Sequence, residues 1–428
     1  MLHGRSWCLS LTGSLLLLGC GDTPGAARPL AGARADSGVG GGGAGGTLPP
    51  GTGTAGAGGS VDRGTDSSGN TGTSSLDAVF VHDAGEGDGS SGAADVPGSV
   101  APDPARVSDA ASAPLEPITT APAALVSGLS LDRFKDNIKK LAAFGDRTQG
   151  SPSFVSAGAW LDQQLTALGY TVAHHQYVFA GGSRTNTFAT KLGTKFPDRM
   201  YLVSAHLDGR GNGGAADDNG SGCSLVLEAA RAFARAGVET EVSIRFAFWD
   251  NEETGFDGAR AYIRDRGPLQ GVEEPPGSRQ FPEPHWLGIL QHDMILYDHG
   301  LPPGPTQVPN ADINVDFQAS SKQAALSKEL AGKVAAAGKA HAKDYPISVG
   351  SNMAGTDSVA FQELIPSVSV REARREEEIL RGSNPNHHKP TDVFESYSDA
   401  DFRLGFNALE TTVGTVAALV GTRIAGAP

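Results

Sequence analysis

Apolar positions recur at helical spacing in Leu131–Phe144 and in Phe154–Leu168, which Gly169 closes. The same spacing returns in Ser221–Ala236, Gly258–Arg266, Lys322–Ala337, Val359–Leu364 and Ala400–Val420. Between these segments lie short apolar runs of strand character: Met200–Ala205, Val242–Trp249, Leu287–Met294 and Pro366–Val370. Helical spacing gathers apolar side chains on one face, whereas a short near-continuous run suits a strand buried on both faces. Strands alternating with helices predict an α/β fold, a mainly parallel (mixed) central sheet with helices on both faces. Such sheets bind ligands beyond the carboxyl ends of their strands. His206, Glu253 and Asp293 all fall at or near such ends, so three strands point to one candidate site.

No such pattern exists upstream. From Gly21 to Ala124 the chain is largely Gly, Ala, Ser, Thr, Asp and Pro, too poor in buryable surface to offset the entropy of ordering. Residues 21–124 are therefore expected to be a disordered tether. Asp and Glu outnumber Lys and Arg there by 12 to 4, which is −8 of the chain's net −14, so the acidity says little about the substrate. No basic patch with interleaved aromatics appears, which argues against a nucleic-acid partner. Residues 1–20 carry Arg5, the apolar run Leu9–Leu18 and the closing Leu17-Leu18-Gly19-Cys20. That segment resembles a bacterial lipoprotein signal, in which Cys20 would be lipidated, and its apolar run is short for a bilayer span. An ordinary secretory signal is the alternative. Either way the expected location is outside the cytoplasm: lipid-anchored in a bacterial cell envelope and facing periplasm or exterior under the first reading, secreted under the second. Residues 125–428 remain, a suitable length for one α/β domain. Of three cysteines, Cys8 lies in the signal and Cys20 at its end; Cys223 reads as a small core residue.

Candidate chemistry sits where the strands stop. His206 is followed two residues on by Asp208, and a metal-binding imidazole normally gives its other N–H to a carboxylate or carbonyl. Asp218-Asn-Gly-Ser-Gly222 is a tight loop presenting a carboxylate, with Asp217 as its competitor; Gly222 would let the next helix approach the sheet. One carboxylate between two metal ions is an economical way to hold them close. Asn251-Glu252-Glu253 ends an apolar strand, and adjacent side chains diverge, so one carboxylate can bind metal while the other handles a proton. Asp293 would be costly to bury unpaired, and neighbouring His292 reads as structural. His387 and His388 compete as a last imidazole in a loop before the final helix. Imidazole and carboxylate are the donors zinc accepts when no thiolate is offered.

These phrases resemble metallopeptidase family M28, the co-catalytic di-zinc aminopeptidases of the bacterial leucyl aminopeptidase type. The similarity runs over Leu131–Val420 through Phe144-Gly-Asp-Arg147, Asn186-Thr-Phe-Ala-Thr-Lys-Leu-Gly193, Ala205-His-Leu-Asp208, Ala216-Asp-Asp-Asn-Gly-Ser-Gly222, Asn251-Glu-Glu253, His292-Asp-Met294 and Gly355-Thr-Asp357. The resemblance implies Asp218 as the bridging ligand rather than Asp217, and His388, four residues before Asp392, rather than His387. It implies Glu252 as general base and Glu253 as ligand. One zinc would take His206, Asp218 and Asp293, the other Asp218, Glu253 and His388, with Asp208 supporting His206. The expected activity is release of N-terminal residues from peptides with a free N-terminus.

Three departures stand out. A Pro-rich insertion, residues 267–286, is expected near the rim of the site. His387 replaces a tyrosine often found before the last ligand. Thr356-Asp357-Ser358 stands for the usual Ser-Asp-His triplet. The rival readings are a carboxypeptidase, for which Arg371, Arg374 and Arg375 offer cations, a glutaminyl cyclase around one zinc, and a non-catalytic binding module.

Overall fold

The computed structural model describes residues 120–297, 312–372 and 384–425. The expected signal, Cys20, the tether through Thr119, Arg374 and Arg375 lie outside the described residues. Helix α1 (Ala121–Val126) precedes α2 (Leu131–Ala142) and α3 (Pro152–Ala167). The Ser130 and Ser151 hydroxyls cap α2 and α3 by accepting the backbone N–H of Arg133 and Phe154. α1 starts ahead of Leu125, where the sequence places the domain's beginning, and it buries Leu125 and Val126.

Strands β1 (Val172–Phe179), β2 (Gly182–Lys191) and β3 (Phe196–His206) lead through a kinked turn, Ala216–Ser221, into α4 (Gly222–Phe233). After the short β4 (Val238–Glu239) come β5 (Val242–Trp249), α5 (Asp257–Arg266) and β6 (His285–His292). The remainder is β7 (Ile313–Asp316), α6 (Ala324–His341), β8 (Ile347–Gly350), α7 (Ser358–Phe361), β9 (Ser367–Arg371), α8 (Asp399–Leu419) and β10 (Arg423–Ile424). Among the described residues the main sheet runs β1-β2-β5-β3-β6-β9-β7-β8. Its centre, β5-β3-β6-β9, is parallel, while β1, β2 and the β7/β9 pair add antiparallel edges. The mixed, mostly parallel sheet matches the expectation. The outer strands escaped the sequence reading because β1 and β2 are polar and β7 and β8 are short.

The central strands bury both faces by alternation. Ile244, Phe246 and Phe248 of β5, with Val203 and Ala205 of β3, join the core under α1, α2, α3, α4, α6 and α8. Ala247, Trp249, Met200 and Leu202 point into a second core with Tyr262 of α5 and Phe361 of α7. No described helix is long and apolar enough to cross a membrane.

Parallel register sets the site. His206 lies opposite Trp249, and Ser204 opposite Gln291, so β3, β5 and β6 stop at one level. β6 ends at His292 rather than Met294, leaving Asp293 just past the carboxyl end. The same register corrects the position of the insertion. Residues 267–286 feed the start of β6, where His285 pairs with Arg199. At about 3.3 Å per residue, this is on the order of 25 Å along the strand from Asp293, at the opposite end of the sheet from the site. There the buried Glu283 carboxylate accepts hydrogen bonds from Tyr262, Trp286, Arg245 and Arg266, stapling the insertion to the second core.

Candidate metal centre

His206 ends β3 fully buried, and its Nε2 stands 3.3 Å from both Asp218 Oδ1 and Asp293 Oδ1. Its Nδ1 donates to the Asp208 carbonyl at 3.0 Å. A carbonyl can only accept, so Nδ1 carries a proton and Nε2 aims at two carboxylate oxygens. Such a junction requires a cation, either a proton on Nε2 or a metal ion. Burial pushes the imidazole down, but Glu252, Asp208, Asp218 and Asp293 outweigh it and hold His206 well above its ordinary pKa.

Asp208 stands on the other side of the His206 ring. Its carboxylate lies 3.6 Å from His206 Nδ1, and the carbonyl makes the closer contact. The carboxylate instead accepts the backbone N–H groups of Glu252 and Glu253, at 3.1 and 3.2 Å, fixing the turn after β5. Asn251 opens that turn with left-handed backbone, as Met294 does after Asp293 and His388 at its own position. Each such residue costs on the order of 1–3 kcal/mol, tolerated where the surroundings over-determine the conformation.

Asp217 and Asp218 separate cleanly. The Asp217 carboxylate accepts the Ile295 and Leu296 backbone N–H groups at 3.0 Å and the Asn384 side chain at 2.9 Å, clamping the chain after β6. Burial pushes Asp217 up to about 8. Asp218 faces the centre: Oδ1 meets His206, while Oδ2 lies 3.1 Å from His388 Nε2 and 3.4 Å from His387 Nε2. Burial raises Asp218, but His206 and His388 outweigh it and hold the carboxyl well below the usual range. His388 Nε2 also reaches Glu253 Oε2 at 2.9 Å. Glu252 shares a cluster of possible metal donors with His206 and Asp293.

These separations suit zinc. Ligands about 2.0–2.1 Å from a tetrahedral ion stand roughly 3.3 Å from one another, and the donor spacings here range from 2.9 to 3.4 Å. Asp218 Oδ2 and His388 Nε2 are also buried without a properly aligned hydrogen bond, although they are 3.1 Å apart.

Supporting residues surround the donors. The Asp392 carboxylate accepts the backbone N–H groups of Asp217 and Asp218 and the Tyr397 hydroxyl. Gly211, with φ +98°, passes so close to the His388 loop that a Cβ would stand 2.4 Å from the His388 carbonyl carbon. A Cβ on Gly222 would meet His292 O at 2.7 Å, the close helix–sheet approach expected there. His292 is structural: its ring bonds Ser204 O and Thr412 Oγ1, and burial pushes it down to about 4. Arg371 is no free cation for a substrate carboxylate. It is buried, with Nε on Ser369 Oγ and Nη2 3.5 Å from Asp293 Oδ2.

Sequence reasoning missed Arg147 as a building element. Fully buried, its guanidinium donates to the carbonyls of Leu141, Leu207, Gly214 and Ala215, tying the loops after β3 together. It also missed Asp357, whose carboxyl burial holds well above its usual range and which accepts from Gln291. Both stand in phrases that carry the family resemblance, but their side-chain contacts come from segments distant in sequence, so the positions are legible in the sequence and the roles are not.

A family model described as Peptidase family M28 matches residues 186–410, just over half of the chain. The chain is 30% identical over 151 residues to leupeptin-inactivating enzyme 1 of Streptomyces exfoliatus, covering 35% of this chain and 32% of that protein. It is 29% identical over 221 residues to the probable lipoprotein aminopeptidase LpqL of Mycobacterium tuberculosis, covering 48% of this chain and 40% of that protein. The aligned region thus spans well under half the length of these relatives. The structure of the Legionella pneumophila LapA aminopeptidase superposes with a TM-score of 0.54 at 17% identity, over 70% of this chain and 74% of that one. At that identity the likeness concerns the fold.

Proposed function

Because the chain belongs to peptidase family M28, we propose that it is an exported zinc aminopeptidase acting on peptides with a free N-terminus. The observation that carries this reading is the two-sided placement of Asp218. One oxygen lies beside the His206 ring, which also meets Asp293, and the other lies beside the His388 ring, which also meets Glu253. Two zinc ions would share Asp218, with His206 and Asp293 on one side and Glu253 and His388 on the other. When bound, the metals supply Lewis-acid polarisation of the scissile carbonyl and lower the pKa of water.

The protein's own groups do the rest. Glu252, buried and pinned through its backbone N–H by Asp208, takes the proton of the attacking water and returns it to the departing amine nitrogen. Asp208 positions both this base and, through its carbonyl, the His206 ring. Asp392 holds the Asp217-Asp218 turn so that one carboxylate faces in and the other out. Acidic groups around the centre supply a partner for the substrate's free amine.

Residues 1–20 are proposed as a lipoprotein signal, Cys20 as the lipidated anchor and residues 21–124 as a tether. The composition supports this, as does a relative bearing the name lipoprotein aminopeptidase. Peptides blocked at either end, incubated with the purified protein and sequenced afterwards, provide the test. Release of the first residue only from peptides with a free amine is expected; cleavage from the carboxyl end, or none with metal bound, would overturn the activity. A truncated protein should begin at Thr120, since α1 contributes to the core and Ala124 accepts a hydrogen bond from Arg235.

A further inference from the structure

His387 is adjacent to a proposed ligand and has no role in the five-residue set. Its Nε2 lies 3.4 Å from Asp218 Oδ2, and donor atoms of Asp218, His387 and His388 all fall within 4.8 Å of one another. The two imidazoles stack, with ring centroids 3.8 Å apart and planes 25° apart, so both present the same edge to the centre. Consecutive side chains in extended backbone point apart. Left-handed backbone at His388, φ +55°, accompanies the side-by-side placement of this pair. The loop is held there by Asn384 on Asp217 and by Gly214 donating to the Asp392 carbonyl.

We propose that His387 is a sixth protein ligand, binding the metal held by Asp218, Glu253 and His388. This inference rests on the two-metal reading above. It makes the two metal positions unequal. The outer one receives four protein donors, a complete tetrahedral set of the kind found in closed sites. The inner one would have three, His206, Asp218 and Asp293, with the Glu252 carboxylate close to His206 and Asp293. His387 would therefore make the outer metal the more tightly held of the two.

Cobalt substitution of the purified protein tests this without reference to turnover. Each ring coordinated through Nε2 keeps an exchangeable Nδ1–H, which a paramagnetic ion shifts far outside the normal proton spectrum. Three such signals are expected, from His206, His387 and His388, and two in His387→Phe. Chelator competition should show His387→Phe holding its second metal more weakly by more than the roughly 10–100-fold that loss of a supporting hydrogen bond produces. His387→Ala should behave alike, and the spectrum of the unsubstituted protein stands even if a variant folds poorly. Two metals bound with only two shifted signals would overturn the role of His387 while leaving the five-ligand reading intact. Uptake of fewer than two metals by the unsubstituted protein would overturn both.

Discussion

The two sides of the centre are built from different material. On the inner side, His206 ends β3 and Asp293 follows β6, neighbours in the middle of the sheet, and their side chains are 1% and 0% exposed. On the outer side, Glu253 and His388 come from turns that depend on left-handed residues, and the His388 side chain is 30% exposed. Strand register brings the backbones of the inner donors to one level, so the hydrogen bonds that hold the sheet also help to hold these donors. The outer donors need separate devices: the Asp208 carboxylate under the Glu252-Glu253 turn, Asp392 under Asp217-Asp218, and Gly211 against the His388 loop. Fold and ligand placement are therefore coupled on the inner side and separable on the outer.

The largest expected effect comes from Glu252, proposed above as the base and not as a ligand. Glu252→Gln should lower kcat about 10²–10⁴-fold while both metals stay bound, read by steady-state kinetics with elemental analysis. Metal loss matching that of Glu253→Ala would end the distinction between base and ligand. Asp293→Ala and Glu253→Ala then probe the coupling directly. Removing Asp293 takes a partner from buried Arg371 and His206, so urea unfolding of the metal-free protein should register a loss of about 3–5 kcal/mol. Glu253→Ala should lose one metal with less than half that penalty; equal penalties would erase the contrast.

Gly211→Ala sharpens the comparison from the loop side. The new methyl meets His388 backbone at a φ that favours glycine, a strain of about 1–3 kcal/mol confined to the outer loop. One metal should be lost and one kept, and loss of both would show that the sides are not separable. The smallest effect, absent at neutral pH, concerns His292 beneath the inner side. Burial holds its folded pKa down at about 4, against an ordinary value of about 6.5. The unfolded chain therefore binds the extra proton, and stability is lost as pH falls through that window, on the order of 1–2 kcal/mol at pH 5. His292→Asn should flatten this acid limb in a series of denaturation curves; an unchanged slope would mean the ring is not the source.

The inner side was also the more legible. Apolar runs ending in His206 and next to Asp293 announce both strand ends and their donors. On the outer side Glu253, next to the end of the apolar β5, was legible in the same way, but Asp217 competes with Asp218 and His387 with His388 in segments lacking periodicity. The contacts of Arg147 and Asp357 were not legible for the same reason. Each depends on groups brought together from separate loops.

Sequence alone determined the alternation of helices and strands, and hence the doubly covered sheet, because burial imposes a period on each element. It also determined which donor types crowd the strand ends. Tertiary structure decided which of two adjacent carboxylates turns inward and that both imidazoles of His387-His388 face one oxygen. It also moved the 267–286 insertion to the far end of the sheet. Those outcomes follow from register and loop packing, which join residues far apart in the chain and leave no local trace in it.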